Sequence, residues 1–181
     1  MGTFKELSAK YEAKIKALEE SRKTNALVIA GDMVALVINR VQNKGIGADG
    51  EKFEKYSTNP LPLFFFKDGN SKSKSDKFKA DVKKKKAEPN YETYRRYLGL
   101  PTDKRTLTVT GDMFRKVRQE IIEHNQFVTI VEIRGGDAFS QNKVNWNSND
   151  LGGSILRPNK QELAMVERAN RERVKKVLGN G

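Results

Sequence analysis

The sequence predicts an α+β fold: a small antiparallel β-sheet with a long N-terminal helix, flanking helices and extended arms. Two periodicities and one compositional fact carry that expectation. Apolar residues recur at three- and four-residue intervals near both ends of the chain, the spacing of one helix face, and alternation appears twice in the middle, the spacing of one strand face. The 181 residues contain no cysteine, so neither a disulfide nor a thiolate zinc site frames the fold, and folding is compatible with a reducing compartment.

From Phe4 to about Asn43, Leu7, Tyr11, Ile15, Leu18, Ala26, Ile29, Met33, Leu36 and Val37 repeat at helical spacing among Lys, Glu and Arg. This predicts one long helix or two in tandem. The first half is charged and expected to project, the stretch Ala26 to Val41 is apolar and expected on the core, and Ser21 to Asn25 is the expected bend. Gly45, Gly47 and Gly50 then end the helix, because glycine readily takes a left-handed cap. Leu61 to Phe66, set between prolines and Lys67-Asp68-Gly69-Asn70, reads as a short strand, buried or docked on a partner. Lys67 to Glu88 turns to Lys, Ser and Asp, with Lys83 to Lys86 consecutive, and reads as a basic loop or arm.

Tyr91, Tyr94, Tyr97 and Leu98 follow at helical spacing, with Arg95 and Arg96 on another side, before Gly99 and Pro101 stop the helix. Thr106 to Thr110 alternates as a strand, Asp112 to Glu123 reads as a helix, and Phe127 to Ile133 alternates again. Ala138 to Asn149 is amide-rich and receives no assignment. Gln161 to Leu178 is a charged helix after Arg157-Pro158, its stripe of Leu163, Val166, Val174 and Val177 broken at Asn170. The chain thus divides into a charged helical extension over 1–25, an α+β body over 26–156 with a basic insertion at 67–88, and a C-terminal helix over 157–181.

Hydrophobic residues make up 36% and charged residues 32%, with a net charge of +12 and a pI near 9.8. This balance implies a modest core and attraction to polyanions or acidic protein surfaces. No signal-peptide core opens the chain, and no apolar run approaches the roughly 18 residues of a membrane helix, so no membrane association is expected. The Gly45 to Gly50 turn lacks the Gly-Lys-Ser/Thr ending of a phosphate-binding P-loop and follows a helix, and Asp49 lacks the acidic partners of a calcium loop. His124 is the only histidine; with Glu123 and Asn125 beside it, it reads as a helix C-terminus. Carboxylates such as Asp112, Glu120 and Glu123 read as helix-start and surface charges, so no catalytic set, metal site or cofactor is expected.

The binding candidates are electrostatic and aromatic. Lys77, Lys79, Lys83, Lys84, Lys85 and Lys86 are candidates for contact with a nucleic-acid backbone or an acidic protein. Phe64, Phe65, Phe66 and Trp146 are candidates for an assembly interface, since exposed aromatic rings anchor protein contacts.

Dispersed segments carry a family resemblance. Ile38-Asn39-Arg40 precedes Gly45-Ile46-Gly47-Ala48-Asp49-Gly50, which leads to Tyr56-Ser57. Tyr94-Arg95-Arg96-Tyr97-Leu98-Gly99 precedes Leu107-Thr108-Val109-Thr110-Gly111-Asp112-Met113, and Arg157-Pro158 with Gln161-Glu162 comes last. In this order the chain resembles the tail-completion or head-tail connector proteins of tailed bacteriophages, also called virion-morphogenesis proteins, over about half its length. The resemblance implies a non-enzymatic ring component at the virion neck, made of identical copies that contact portal or tail proteins. It further implies assembly in the host cytoplasm, and a positive surface near the channel of such a ring would also meet the packaged DNA backbone without reading its sequence. A second expectation, from charge alone, is a basic accessory protein that holds the DNA backbone.

Overall fold

The computed structural model describes residues 3–69, 71–107, 111–125, 127–151 and 153–179, and one helix dominates them. Thr3 accepts the Glu6 amide while the Glu6 carboxylate accepts the Thr3 amide, a reciprocal cap for groups that a helix start leaves without partners. From there α1, Phe4–Ile38, runs unbroken into a π-helical turn, Asn39–Lys44. Gly45 closes it in the left-handed conformation at φ 65°, where a Cβ would meet the Arg105 carbonyl oxygen at 2.9 Å. The expected bend at Ser21 to Asn25 is absent. Ser21 donates to the Leu18 carbonyl and Asn25 to Ser21, so these polar groups close on their own helix.

Residues 61–100 build a small core of their own, against two expectations. The predicted strand at Leu61 to Phe66 is a single 3₁₀ turn, Leu63–Phe65. The predicted basic loop is largely a helix, α2, Lys72–Lys83, capped by Ser71. Its lysines hide a helical face: Ser75, Phe78 and Val82 recur at three- and four-residue spacing and meet the helix α3, Tyr91–Leu98. The Phe78 ring lies 5.0 Å from Phe66 and 5.1 Å from Tyr94, tilted contacts of the kind aromatic pairs prefer. Phe66 is therefore core, not interface, and only Phe64 and Phe65 of that triplet stay exposed. Arg95, expected on an outer side of α3, is fully buried.

The predicted helix from Asp112 to Glu123 is also corrected. Only α4, Asp112–Arg115, is helical, and β1, Val117–His124, pairs antiparallel with β2, Thr129–Gly135, in a two-stranded sheet. Alternation decides it, because Val117, Gln119 and Ile121 share the half-buried face with Thr129, Val131 and Ile133. Ile122 is the extra residue of a bulge between the Ile121 and Glu123 pairs. His124 ends a strand, not a helix. Thr106 and Leu107 belong to no strand, and Thr108, Val109 and Thr110 of the other predicted strand lie outside the described residues. The hairpin runs back along α1: Gln119 lies against Gly31, and Arg22 donates to the Asn125 carbonyl near the hairpin tip.

α5, Ala138–Asp150, and α6, Lys160–Leu178, complete the α+β fold. Met33, Val37 and Val41 pack with Met113, Phe114, Val144, Ile155, Leu156 and Val166 in the main core. Only Val166 of the α6 stripe is fully buried, while Leu163 and Val177 remain exposed. As expected, the apolar half of α1 lies on this core and its first turns project. One reading of that helix needs correction: within Phe4–Lys44 an 18-residue window of mean hydropathy 1.4 is long and apolar enough to cross a membrane. Its charges interrupted the apolar run in the sequence. In the fold the helix buries Ala30, Met33 and Val37 against the core, and Asp32 and Arg40 pair with Arg173 and Glu162 of α6.

The sheet joins α5 at a tight junction, where a Cβ on Gly135 would fall 2.4 Å from the Gln141 amide nitrogen. Asp137 caps α5 through the Ser140 amide at 2.7 Å and accepts from Lys116 Nζ at 2.7 Å. The Lys116 ammonium first, and the Ser140 bonds second, hold the Asp137 carboxyl well below the usual carboxylate range.

Two outcomes are expected. Phe78→Ala should cost about 3–5 kcal/mol in urea unfolding, the range for emptying an aromatic core position; an unchanged midpoint would show that the small core is not packed. Because the folded pKa of Asp137 is depressed, its stabilisation is present above the unfolded value and disappears as pH falls toward the folded one. The thermal midpoints of wild type and Asp137→Asn, which keeps a capping oxygen but loses the charge, should differ at neutral pH. They should converge below about pH 4, the ordinary carboxylate range, and a gap that widens in acid contradicts the assignment.

Candidate functional site

Two buried arginines organise the molecule. Arg40, in the π-helical turn, donates from Nε to Glu162 Oε1 at 2.8 Å, from Nη1 to the Ile46 carbonyl at 2.9 Å and from Nη2 to the Arg157 carbonyl at 2.7 Å. Both side chains of the ion pair are about 95% buried, at 5% and 4% exposure. Glu162 is committed on its other oxygen, which accepts the Asn159 amide at 2.7 Å while Asn159 accepts the Glu162 amide at 2.8 Å. One carboxylate therefore caps α6 and neutralises Arg40. The planar fork of arginine suits such a junction, since it spreads donors over three separated nitrogens in fixed directions, whereas a lysine presents all its donors from one point.

Arg95 fills a second junction. Its Nε donates to the Pro101 carbonyl at 3.0 Å and its Nη2 to Thr106 Oγ1 at 3.2 Å, while the guanidinium lies 4.2 Å from the centre of the Tyr56 ring. The Tyr56 hydroxyl accepts the Thr106 and Leu107 amides, each at 3.1 Å. Tyr91 packs on Tyr56 with ring centroids 5.3 Å apart, and burial raises its hydroxyl pKa above the usual value. This polar seam ties the residues 61–100 core to the rest of the chain.

Two open concavities flank the loop before α6. One, about 740 Å³, is lined by the amides of Gln141, Asn145 and Asn149 with Val144 and Leu156. The other, about 490 Å³, lies beside the Gly47 turn, where Lys52, Arg105 and Arg157 are balanced by Asp49, Glu51, Glu54 and Asp150. Neither favours an ion of one sign. His124 lines neither; its Nδ1 lies 2.8 Å from Thr129 Oγ1 at the hairpin end. Asp112 pairs with Arg115, Glu120 with Arg134, and Glu123 accepts from Asn125, so these carboxylates have separate partners. Among the described residues no group of three or more acidic, histidine or cysteine side chains is placed to hold a metal.

The sequence-predicted contact residues fall on separate surfaces. Lys83 ends α2 and Lys84 to Lys86 form its capping turn, all exposed, and Lys77 is exposed on the helix. Lys79 is half-buried and bonded to Asp68 at 3.0 Å, so it does not share their freedom. Phe64 and Phe65 stack on each other at 4.5 Å and remain in solvent. Trp146 is exposed on α5, in the other part of the fold. The stripe of Phe4, Leu7, Tyr11 and Ile15, on the half of α1 that was expected to project, is exposed as well. Sequence reading missed Arg40, Glu162 and Arg95 as buried junctions, although each stands in a segment that carries the family resemblance.

No protein-family model, curated protein or solved structure matches the chain. Its own geometry therefore carries the functional argument.

Removing one partner of a buried ion pair leaves the other charge uncompensated. Arg40→Met and Glu162→Leu are each expected to cost about 3–5 kcal/mol in urea unfolding, and the double variant Arg40→Met/Glu162→Leu less than the sum of those two. Additive losses would show that the two side chains are not coupled.

Proposed function

We propose that this chain is a structural virion protein of a tailed bacteriophage, one copy of a ring in the head-tail connector that joins portal to tail components. It acts by protein–protein assembly, without a reaction of its own, in the host cytoplasm and then in the virion neck.

The observation that carries this reading is the uncovered apolar stripe on the projecting half of α1. Phe4, Leu7, Tyr11 and Ile15 follow each other at intervals of three and four residues, yet Phe4 is 88% exposed and the other three more than half exposed. A helix face of that pattern is built to be buried, and no described residue covers it. A contiguous apolar face of this kind marks an interaction surface.

Further support comes from the number and separation of such faces. The hairpin exposes Ile122, Phe127, Val128 and Ile130, distant in sequence from Phe64 with Phe65 and from Trp146. A ring of identical copies requires two different complementary faces, because head-to-tail contacts are what close a cycle. The resemblance of the dispersed segments adds the place in the virion, and the same segments build the Arg40 and Arg95 junctions that fix how the faces are presented.

Light scattering and negative-stain images of the purified chain, alone and mixed with portal and tail proteins, test this reading. A closed ring is expected in at least one of those mixtures. Leu7→Asp/Ile15→Asp should abolish it while leaving the thermal midpoint within about 1–2 °C, since exposed substitutions change stability by less than about 0.5 kcal/mol. A chain that stays monomeric in every mixture overturns the proposal.

A further inference from the structure

The lysine cluster is a fixed turn, and its backbone has an unusual feature. After α2 the Lys85 amide donates to the Val82 carbonyl at 2.9 Å and the Lys86 amide to the Asp81 carbonyl at 2.8 Å, the paired bonds of a Schellman cap. In that motif the residue after the cap takes the left-handed conformation, and here it is Lys85, at φ 55°. Glycine is the residue that position favours, because any Cβ is crowded there. The chain instead places lysine at the strained site and lysine on both sides of it.

Helix electrostatics account for part of this only. Cations are favoured in the last turn of a helix, and Lys83 alone meets that need. The opposite end shows the same excess, since the first turn of α2 holds Lys72 and Lys74 with no acidic residue. Between Lys67 and Glu88 stand nine lysines and four acidic residues. Two of those four are occupied, Asp68 by Lys79 and Asp81 by the Tyr97 hydroxyl at 3.0 Å. Lys77 and Lys83 to Lys86 have no ion-pair partner among the described residues.

We infer that the Lys83 to Lys86 turn is a binding site for the phosphate backbone of duplex nucleic acid, read without regard to sequence. Chemistry on the surrounding surface selects this partner over others. No large apolar side chain is exposed on α2, its capping turn or α3, so the surface lacks both the wedge that membrane insertion uses and the anchor of a protein hot spot. The aromatic rings of α2 and α3 are buried or half-buried in the small core, and the exposed Phe64 and Phe65 rings, outside these helices, stack on each other, so the lysine turn carries no ring of its own for bases to stack on, as single-strand binders require. A row of phosphates asks only for fixed positive charge. The site is independent of ring assembly, and its test reads binding alone.

Fluorescence anisotropy of a labelled 30-base-pair duplex of arbitrary sequence, titrated with the full chain across a range of salt, is the experiment. Wild type is expected to bind with an affinity that falls steeply with salt. Lys83→Gln/Lys84→Gln/Lys85→Gln/Lys86→Gln should reduce the slope of log affinity against log salt by about three to four, the loss of about four phosphate contacts, and weaken binding at least about tenfold at low salt. Lys85→Gly keeps the question open if that variant does not fold: it removes charge and backbone strain together, and should raise the thermal midpoint while weakening binding a few-fold. Unchanged affinity and salt slope in either folded variant overturns the inference. So does tighter binding to polyglutamate or to phosphatidylserine vesicles than to DNA, which would assign the turn to an acidic protein or a lipid surface.

Discussion

The ion pair between Arg40 and Glu162 is the constraint on which the fold depends. Two charges withdrawn from water are stable only when almost every donor and acceptor is matched, and here the matches come from two distant stretches of chain, 40–46 and 157–162. The guanidinium needs the Ile46 carbonyl, the Arg157 carbonyl and the Glu162 carboxylate, while Glu162 needs the start of α6. Satisfying one arginine therefore dictates where α1 ends, how the glycine turn folds back and where α6 begins. Apolar contact could hold these pieces together, but it would not choose one arrangement among several, because it is non-directional.

The hairpin has a complementary role. It lies along α1 from Gly31 to Arg22, stiffening the middle of the helix and leaving its first turns free of the body. Cores, junctions and contact surfaces are thus segregated. Buried residues of the two cores fix the shape, the arginine junctions fix relative position, and the apolar stripe, the hairpin tip and the lysine turn remain available to other molecules. Such segregation suits a protein whose work is contact, since a surface can change without disturbing the packing beneath it.

Much of this was legible in the sequence, for identifiable reasons. The helices α1, α3 and α6 announce themselves by apolar spacing, a signal that is local. α2 was hidden because its composition is that of a loop, and only Phe78 and Val82 betray a face. β1 was hidden because Val-Arg-Gln-Glu-Ile-Ile-Glu read alone suits a helix as well as a strand, and only its pairing with the following strand decides between them. The burial of Arg40 and Arg95 could not be read from charge, which ordinarily marks surface; it depends on acceptors outside their own helical segments, at Ile46, Arg157 and Glu162 for Arg40 and at Pro101 and Thr106 for Arg95. The surface candidates fared by the same logic. Lys83 to Lys86, Phe64, Phe65 and Trp146 are exposed, whereas Phe66 and Lys79 are engaged within the fold.

The seam at Tyr56 and Arg95 has a consequence for cooperativity. The smaller core rests on four buried side chains, Phe66, Phe78, Tyr94 and Leu98, too few to hold a structure alone. Its arginine acceptors, Pro101 and Thr106, lie in the segment leading to the main core, so the buried guanidinium couples the order of α2 and α3 to that of the main core. With four buried side chains against nine in the main core, the smaller core is the unit that local opening favours. The lysine turn rides on that unit. A polyanion held there would tighten the weakest part of the chain, so that its order would report whether the ligand is bound.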